Sequence, residues 1–384
     1  MRDKFLVFGA PRIEREEIDE VVKVLESGWL GTGPRVQKFE ADFAAYKGID
    51  PSRASAVSSC TAALHLSFVA AGLGPDDEVI TTPLTFCATV NAIIHAGARP
   101  VLADIDPQTL NIDPRAVLEA ITPRTKAIVP VHFGGRPCDM DALMAIARQH
   151  KLLVIEDCAH AIETEYHGKP AGMFGDFSCF SFYVTKNVVT GEGGMVLARD
   201  AEHAARVKVL ALHGMNKDAW KRFSAEGYRH YQVTECGFKY NLTDLQAAIG
   251  IHQLRNVAAN RRRRETIWGA YDEAFGSLPL TLPAKPEAGT RHAYHLYTVL
   301  VDSAVAKTSR DEFLNALTAR NIGVGVHYMS VPEHPYYQRT LGWKPEDYPH
   351  SMRVGRQTVS LPLSPAMSDQ DVADVISAVR DTLA

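Results

Sequence analysis

The residue with the clearest chemical potential in this sequence is Lys186, which ends the apolar and aromatic run of residues 177–185. Such a run is typical of a buried strand. A lysine at a strand end most often reaches water while its stem covers apolar surface. The alternative is a lysine whose pKa is lowered by burial, so that its amine attacks a carbonyl and forms a Schiff base. Gly191, Gly193 and Gly194 favour this alternative, because glycines let the backbone pass close to a bound group.

A second feature is the small polar turn Ser58-Ser59-Cys60-Thr61, which separates a strand predicted at residues 54–57 from a helix that runs through Ala71. The first turn of a helix presents unpaired N–H groups and the positive end of the helix dipole, where phosphates bind. The same hydroxyls also serve as an ordinary N-cap. The local pattern is compatible with both interpretations.

Asp157 directly follows the apolar run of residues 152–155, so its carboxylate is expected at the rim of the core. It suits a helix cap, a salt bridge or, with Cys158 and His160, a metal site. Neighbouring residues at a strand end rarely converge on one ion, and no second cluster completes a coordination shell. We therefore predict no metal site.

Strands and helices alternate through the first half of the chain. Strands are predicted at 54–57, 78–82, 100–104, 126–133 and 152–156, and helices at 88–96, 114–120 and 140–150. This alternation indicates a largely parallel sheet covered by helices on both faces. Ligands of such sheets lie at the carboxyl ends of the strands. Candidates for one common site are therefore Thr85, Phe86, His132 and the segment from Asp157 to His160.

The remaining segments complete an α/β fold with two domains. Helices are expected at 13–27, 36–46, 243–254, 255–275 and 368–383, strands at 295–301 and 323–327, and irregular structure at 214–235. We predict a large domain at residues 1–254, with a mostly parallel sheet flanked by helices. A smaller α+β domain is predicted at residues 255–384.

Composition excludes several classes of protein. The net charge of -4 over 384 residues gives no support to a nucleic-acid or anionic-membrane partner. No apolar stretch reaches the length of a membrane span. The six cysteines form no C-x-x-C pair, which favours reduced thiols in a cytoplasmic protein.

Taken together, these features resemble the DegT/DnrJ/EryC1/StrS family of sugar aminotransferases, which are fold type I pyridoxal-phosphate (PLP) enzymes. The resemblance covers nearly the whole chain, and the number of ordered matches argues against chance. The matching stretches are Ser27–Trp29 with Thr32–Pro34, Ser58–His65, Asp77–Ile80, Ile155–Ala161, Ser181–Phe182 with Lys186–Asn187, Gly191–Gly194 and Gly237–Asp244.

The resemblance implies that Lys186 holds the cofactor as an internal aldimine and later moves a proton between the substrate carbon and the cofactor. Asp157 would pair with the pyridine nitrogen and keep it protonated. Thr61 and Ala62, through backbone N–H groups and the Thr61 hydroxyl, would hold the phosphate together with the Ser181 hydroxyl.

Four further roles come from the same resemblance. Phe86 would stack on the ring face. His160, where many members carry Gln, would lie near the phenolic oxygen. Asn241 would reach the phosphate of the neighbouring subunit's cofactor, which implies a homodimer with shared active sites. His327 matches a substrate-side histidine of members that act on 4-keto sugars, although an ordinary strand-end histidine explains it equally well.

The implied activity is a ping-pong transamination through the pyridoxamine form. L-glutamate would give its amino group and leave as 2-oxoglutarate, and a keto group of a nucleotide-linked sugar would receive the amine. The pattern is closest to enzymes that aminate C4 of UDP-linked keto sugars, including those that make 4-amino-4-deoxy-arabinose for lipid A, and so indicates polysaccharide or lipopolysaccharide biosynthesis. Alternatives are a C3 aminotransferase, a sugar 3-dehydratase and a non-catalytic regulator. Dehydratases of the family carry His in place of Lys186, and retention of Lys186 with Asp157 argues against a regulator.

Overall fold

A computed structural model describes residues 2–216 and 230–383 of the protein. The helices are α1 (Arg15–Ser27), α2 (Pro34–Lys47), α3 (Cys60–Ala70), α4 (Cys87–His95), α5 (Pro114–Ala120), α6 (Met140–His150), α7 (Ala201–Ala211), α8 (Asp244–Phe275), α9 (Ser303–Ala306), α10 (Arg310–Ala319), α11 (Pro335–Leu341), α12 (Pro349–Gln357) and α13 (Asp369–Leu383). The strands are β1 (Ala54–Val57), β2 (Glu78–Thr81), β3 (Arg99–Leu102), β4 (Thr125–Val129), β5 (Leu153–Asp157), β6 (Glu165–Tyr166), β7 (Lys169–Pro170), β8 (Phe177–Ser181), β9 (Gly194–Ala198), β10 (Thr290–Arg291), β11 (Tyr297–Leu300) and β12 (Thr358–Leu361).

The centre of the fold is a seven-stranded sheet with the order β1-β9-β8-β5-β4-β2-β3. Strands β3, β2, β4, β5 and β8 pair in parallel along the sheet. Strand β9 is antiparallel to both of its neighbours, β8 and β1. The predicted α/β class with a mostly parallel sheet is confirmed. Its parallel strands bring their carboxyl ends to one edge, where a ligand site is expected.

Helices cover both faces of this sheet. On one face α3 and α7 bury Leu66, Phe68 and Val207 against the strands. On the other, α2 and the first half of α8 bury Phe39 and Ile251. Fully buried side chains of this size supply most of the apolar area that stabilises such a layered fold, at about 25 cal/mol per Å².

Helix α8 connects two hydrophobic cores. It begins with a capping box at Thr243 and continues for 32 residues, whereas the sequence predicts two helices that meet at residue 254. Its second half buries Trp268, Tyr271 and Phe275 in a separate C-terminal core. The predicted domain boundary therefore falls inside one helix, and the division at 254/255 stays a prediction. Among the described helices, none combines the length and apolar character that a bilayer crossing requires.

The strand predicted at residues 323–327 is wrong. Gly325 alone in this segment forms a bridge, to Ser360, and the partner of β11 is β12, which the sequence did not predict. Gly323 lies so close to the N-terminal segment that a Cβ would come within 2.5 Å of the Leu6 carbonyl oxygen. The Gly323 N–H donates to that oxygen at 2.8 Å, and Ile322 and Leu6 form an isolated bridge. The segment therefore pairs through single bridges instead of forming a strand. Of the predicted irregular stretch 214–235, residues 217–229 lie outside the described part of the chain.

Candidate active site

A cavity of about 530 Å³ opens at the carboxyl edge of the central sheet. Its walls come from the ends of β1, β2, β5 and β8 and from the C-terminal part of the chain. The structure brings seven predicted site residues together in these walls: Thr61, Phe86, Asp157, His160, Ser181, Lys186 and His327. Sequence-distant residues thus share one space of a size typical for a small-molecule ligand.

Lys186 lies in the turn that follows β8. Its backbone N–H donates to the Tyr183 carbonyl at 2.8 Å, and its side chain enters the cavity wall. Burial lowers the pKa of Lys186 to about 8. A larger fraction of the amine is therefore unprotonated at neutral pH than in an exposed lysine, as nucleophilic attack on a carbonyl requires.

Asp157 is the last residue of β5, and its carboxylate is held from two sides. The Thr89 hydroxyl donates to Oδ2 at 2.9 Å, and the Ala159 N–H donates to Oδ1 at 3.1 Å. Thr89 is in turn 2.8 Å from the Thr85 hydroxyl. Burial raises the pKa of Asp157 although both hydrogen bonds oppose the shift. The site therefore holds the carboxylate in a fixed orientation and favours a cation beside it. Thr89 was missed by the sequence analysis, although it lies on the first turn of the helix after Phe86.

The N-terminus of α3 forms another wall of the cavity. Ser59 is the N-cap and accepts the Ala62 N–H at 3.0 Å. The N-cap interpretation is therefore correct for Ser59, and the Ala62 amide predicted to hold phosphate already has an acceptor. Thr61 and Ser181 line the cavity. Gly194 lets β9 approach this turn, since a Cβ there would lie 2.5 Å from the Ser59 backbone.

His160 is oriented by two neighbours. The Gly134 N–H donates to Nδ1 at 3.3 Å, and Nε2 lies 3.0 Å from the Tyr328 hydroxyl. Burial keeps the pKa of His160 well below its usual value, so the ring is neutral and carries its proton on Nε2. Tyr328 also lines the cavity. It was missed by the sequence analysis, although it directly follows His327.

His327 and Phe86 lie on the same side of the cavity. His327 Nδ1 is 2.8 Å from the Ser360 hydroxyl, and its ring stacks on Phe8 with centroids 5.5 Å apart. Burial lowers the pKa of His327 to about 4. Phe86 is 58% exposed and its ring centroid lies 5.9 Å from that of Tyr328, so an aromatic face is available at the mouth.

Two candidates lie elsewhere. Asn241 is not among the described residues that line the cavity, and its amide donates to the Thr32 hydroxyl at 2.6 Å. His132, expected at the common edge, is fully buried and lies 3.1 Å from Glu156. The rule that ligands lie at the carboxyl ends of parallel strands placed His132 near the cavity, but its ring packs inside the fold.

His132, Glu156 and Cys158 place their ligand atoms within 4.8 Å of one another. Glu156 accepts N–H groups of Gly172, Phe174 and Gly175, each at 2.8 Å. The Cys138 N–H donates to His132 Nδ1 at 3.0 Å, so Nε2 carries the proton and donates to Glu156. Burial raises the pKa of Cys158 well above its usual value. His132 and Glu156 are thus hydrogen-bonded within the protein, as in a structural cluster.

Comparison with known proteins agrees with this geometry. The sequence model of the DegT/DnrJ/EryC1/StrS aminotransferase family matches residues 11–380. The chain belongs to this family. The spore coat polysaccharide biosynthesis protein SpsC of Bacillus subtilis (strain 168) is 53% identical over 382 residues, covering 99% of this chain and 97% of SpsC.

Solved structures extend the comparison to the fold and the cofactor. Spr1654 from Streptococcus pneumoniae, in its PLP form, superposes with a TM-score of 0.91 at 30% identity, covering 99% of this chain and 98% of that one. DesI, solved in the presence of its TDP-sugar product, gives a TM-score of 0.88 at 33% identity, covering 100% and 94%. The protein is therefore a PLP-dependent aminotransferase of a sugar aminotransferase family, with a fold type I architecture.

Proposed function

We propose that the protein transfers the amino group of L-glutamate to a keto group, at C4, of a nucleotide-linked sugar, with Lys186 as the cofactor lysine. The observation that carries the proposal is one cavity walled by Lys186, Asp157 and the N-terminus of α3. These three features suit the aldehyde, the ring nitrogen and the phosphate of PLP. The transamination would be ping-pong, with 2-oxoglutarate leaving before the sugar is aminated.

The residues in the walls fit the cofactor by charge and shape. Asp157 is a buried carboxylate with a raised pKa, which a protonated ring nitrogen would offset. Thr61 and Ser181 would bind the phosphate with the first N–H groups of α3. Phe86 presents an aromatic face at the mouth. The engaged Ala62 amide makes Ala62 the weakest member of this set.

When bound, PLP supplies an electron sink for the carbanion that transamination requires. The protein groups have separate tasks. The Lys186 amine would attack the aldehyde and later carry a proton between the substrate carbon and the cofactor. Asp157 would hold a proton on the ring nitrogen. His160 would lie near the phenolic oxygen, with its one N–H, on Nε2, directed at the Tyr328 hydroxyl. Since His327 lies in the same walls, it would contact the sugar.

Two relatives support the substrate class. DesI was solved with a TDP-sugar product, and SpsC is named for polysaccharide biosynthesis. We infer a nucleotide-linked keto sugar for this protein, used in polysaccharide or lipopolysaccharide synthesis. The preference for C4 and for UDP rests on the sequence pattern around Asp157 and Asn241 and on the position of His327.

A homodimer would complete the site. Asn241 lies outside the described lining of its own cavity, as expected for a residue that serves a second subunit. Ile18, Val22 and Leu25 are exposed at helical spacing on α1, beside the exposed Trp29, and such an apolar stripe suits a protein interface. The six free cysteines support a reducing compartment such as the cytoplasm.

The deciding experiment is the visible absorption spectrum of the purified protein with PLP, before and after L-glutamate. We expect a yellow band that glutamate converts to the pyridoxamine form. Keto sugars linked to UDP, dTDP or GDP would then be screened for return of the band. A band that ignores glutamate would overturn the choice of donor, and Lys186→Ala protein that still forms the band would overturn the role of Lys186.

A further inference from the structure

The residue after the cofactor lysine is held by an unusually complete set of contacts. Asn187 donates from Nδ2 to Glu163 Oε2 at 2.8 Å and to the Ala293 carbonyl at 3.1 Å. Its Oδ1 lies 2.9 Å from His295 Nδ1. A flipped amide would place Oδ1 against the carboxylate and the carbonyl, so these partners fix the orientation of Asn187, and His295 must donate from Nδ1.

Glu163 uses its other oxygen in an ion pair with Arg264 of α8. Both side chains are buried, with 4% and 1% of their surface exposed. Arg264 also donates from Nε to the Ala293 carbonyl at 3.3 Å. Asn187 and Arg264 thus share the same carboxylate and the same carbonyl, and the four groups form one unit.

The unit lies directly against the lysine. Arg264 lines a small cavity of about 20 Å³ together with Thr185, Lys186 and Asn187. Arg264 Nη1 is buried and has no hydrogen-bond partner within residues 2–216 and 230–383. A cavity of this size holds one water molecule. Since buried polar groups are normally paired, water is the expected partner of Nη1 on the lysine side.

A purely stabilising role explains the ion pair poorly. Removing two charges from water costs about as much as their attraction returns, so a buried pair is weak evidence for stability. The chain offers a direct contrast two residues away, where Glu165 pairs with Arg291. That arginine is half exposed, with 52% of its side chain accessible, and the pair joins two short strands. Only the buried pair reaches the cofactor lysine, through Asn187.

We propose that Glu163 and Arg264, acting through Asn187, are positioning residues that hold Lys186 in its reactive place in the cavity wall. Because Arg264 belongs to α8, the unit also ties the lysine turn to the helix that connects both cores. His295 continues the contacts toward the cavity, since its ring lies 4.3 Å from that of His160. The inference rests on the proposed role of Lys186.

The test compares Asn187→Ala and Glu163→Gln with the control Glu165→Gln. Asn187→Ala cuts the link to Lys186 and leaves the ion pair between Glu163 and Arg264 in place. This variant therefore tests the link even where Glu163→Gln does not fold. We expect Asn187→Ala to lower kcat by about tenfold or more, as small displacements of reacting groups do, with the glutamate KM within about twofold. Its melting temperature should also fall, because the buried Glu163 carboxylate loses a donor, so kcat is measured well below the unfolding transition. Glu165→Gln should match the wild type.

A second readout needs no cofactor. Apo-protein is labelled with limiting acetic anhydride over a range of pH, and acetylation of each lysine is measured by peptide mass spectrometry. In Asn187→Ala the pH midpoint for acetylation of Lys186 should differ from that in the wild type, and the labelling of the exposed Lys23 in the same samples serves as the reference for reagent dose. Unchanged kcat and an unchanged Lys186 midpoint in Asn187→Ala would overturn the inference.

The two proposals fail in different ways. If Lys186→Ala loses the yellow band and Asn187→Ala behaves as wild type, the positioning unit fails and the proposed function stands. If Lys186→Ala keeps the band, the proposed function fails first.

Discussion

Two lysines of this protein have similarly lowered pKa values and opposite surroundings. Burial lowers the pKa of both Lys47 and Lys186 to about 8. Lys47, at the end of α2, donates to the carbonyls of Ile162 and Ala171 at 2.9 and 3.0 Å and lies 4.6 Å from the Phe180 ring centroid. Lys186 borders the cavity. A lowered pKa therefore marks burial, and only the open side of Lys186 makes it a candidate nucleophile.

The neighbouring carboxylates Glu156 and Asp157 repeat the contrast. Three backbone N–H groups and His132 donate to Glu156, and they lower its pKa despite burial. Asp157 has two donors and faces the cavity, and burial raises its pKa. The charge of Glu156 is therefore stabilised by protein donors, whereas the Asp157 carboxylate can still bind a ligand in the cavity.

The largest effect we expect separates the two lysines. Lys186→Ala should abolish turnover, because no other amine in the described cavity wall can replace it. Lys47→Met should keep kcat within about twofold, since Lys47 touches only protein. Steady-state transamination with glutamate measures both. Turnover retained by Lys186→Ala, or lost in folded Lys47→Met, would break the comparison.

The second effect separates the two carboxylates. Asp157→Asn should lower kcat/KM about 10²- to 10³-fold with the fold intact, because an amide cannot hold a proton on the ring nitrogen. Glu156→Gln should instead lower the free energy of unfolding, by about 3 kcal/mol, since an uncharged amide replaces the acceptor of four hydrogen bonds. Kinetics and urea unfolding of both variants provide the measurement. If Glu156→Gln lost activity and Asp157→Asn lost only stability, Glu156 and not Asp157 would be the carboxylate that serves the ligand.

The sequence was sufficient to predict the site residues that come directly after strands. Lys186 and Asp157 come directly after apolar runs, and parallel topology places both at one edge. Lys47 gave no signal, because at a helix end before Gly48 it is typical of a solvated lysine. Its acceptors are 115 and 124 residues away along the chain. The burial of Lys47 depends on contacts with distant residues, and the local sequence pattern carries no information about them.

The same limit explains the errors in detail. The apolar spacing of α1 predicted the helix correctly, but Ile18, Val22 and Leu25 are exposed. Glu17 is buried instead, because Gln253 of α8 donates to it at 2.8 Å. Tyr328 lines the cavity, and the segment before it forms a bridge at Gly325 in place of the predicted strand. In each case a distant partner overrides the local pattern.

The third effect concerns stability. Lys47→Met should lower the free energy of unfolding by about 1 to 3 kcal/mol at neutral pH, because the buried carbonyls of Ile162 and Ala171 lose their donor. Urea unfolding of wild type and variant measures the difference. Arginine at 47 is a useful check, since it keeps donors but adds bulk to a closed core. An unchanged or increased stability of Lys47→Met would mean that burial of the ammonium costs more than its hydrogen bonds return.

The smallest effect is the pH dependence of the difference in unfolding free energy between the wild type and Lys47→Met. In the folded protein Lys47 has a pKa of about 8, against 10.5 for an ordinary lysine. Between these values the unfolded chain binds more protons than the folded one, so stability from this group rises with pH, by at most about 1.4 kcal/mol per pH unit. The stability of wild type minus that of Lys47→Met should therefore increase from pH 8 toward pH 10, while Lys186, present in both, cancels. Unfolding at pH 7.5, 8.5 and 9.5 tests this. A constant difference would place the folded-state pKa of Lys47 near its ordinary value, and the two lysines would then differ in acidity as well as in access.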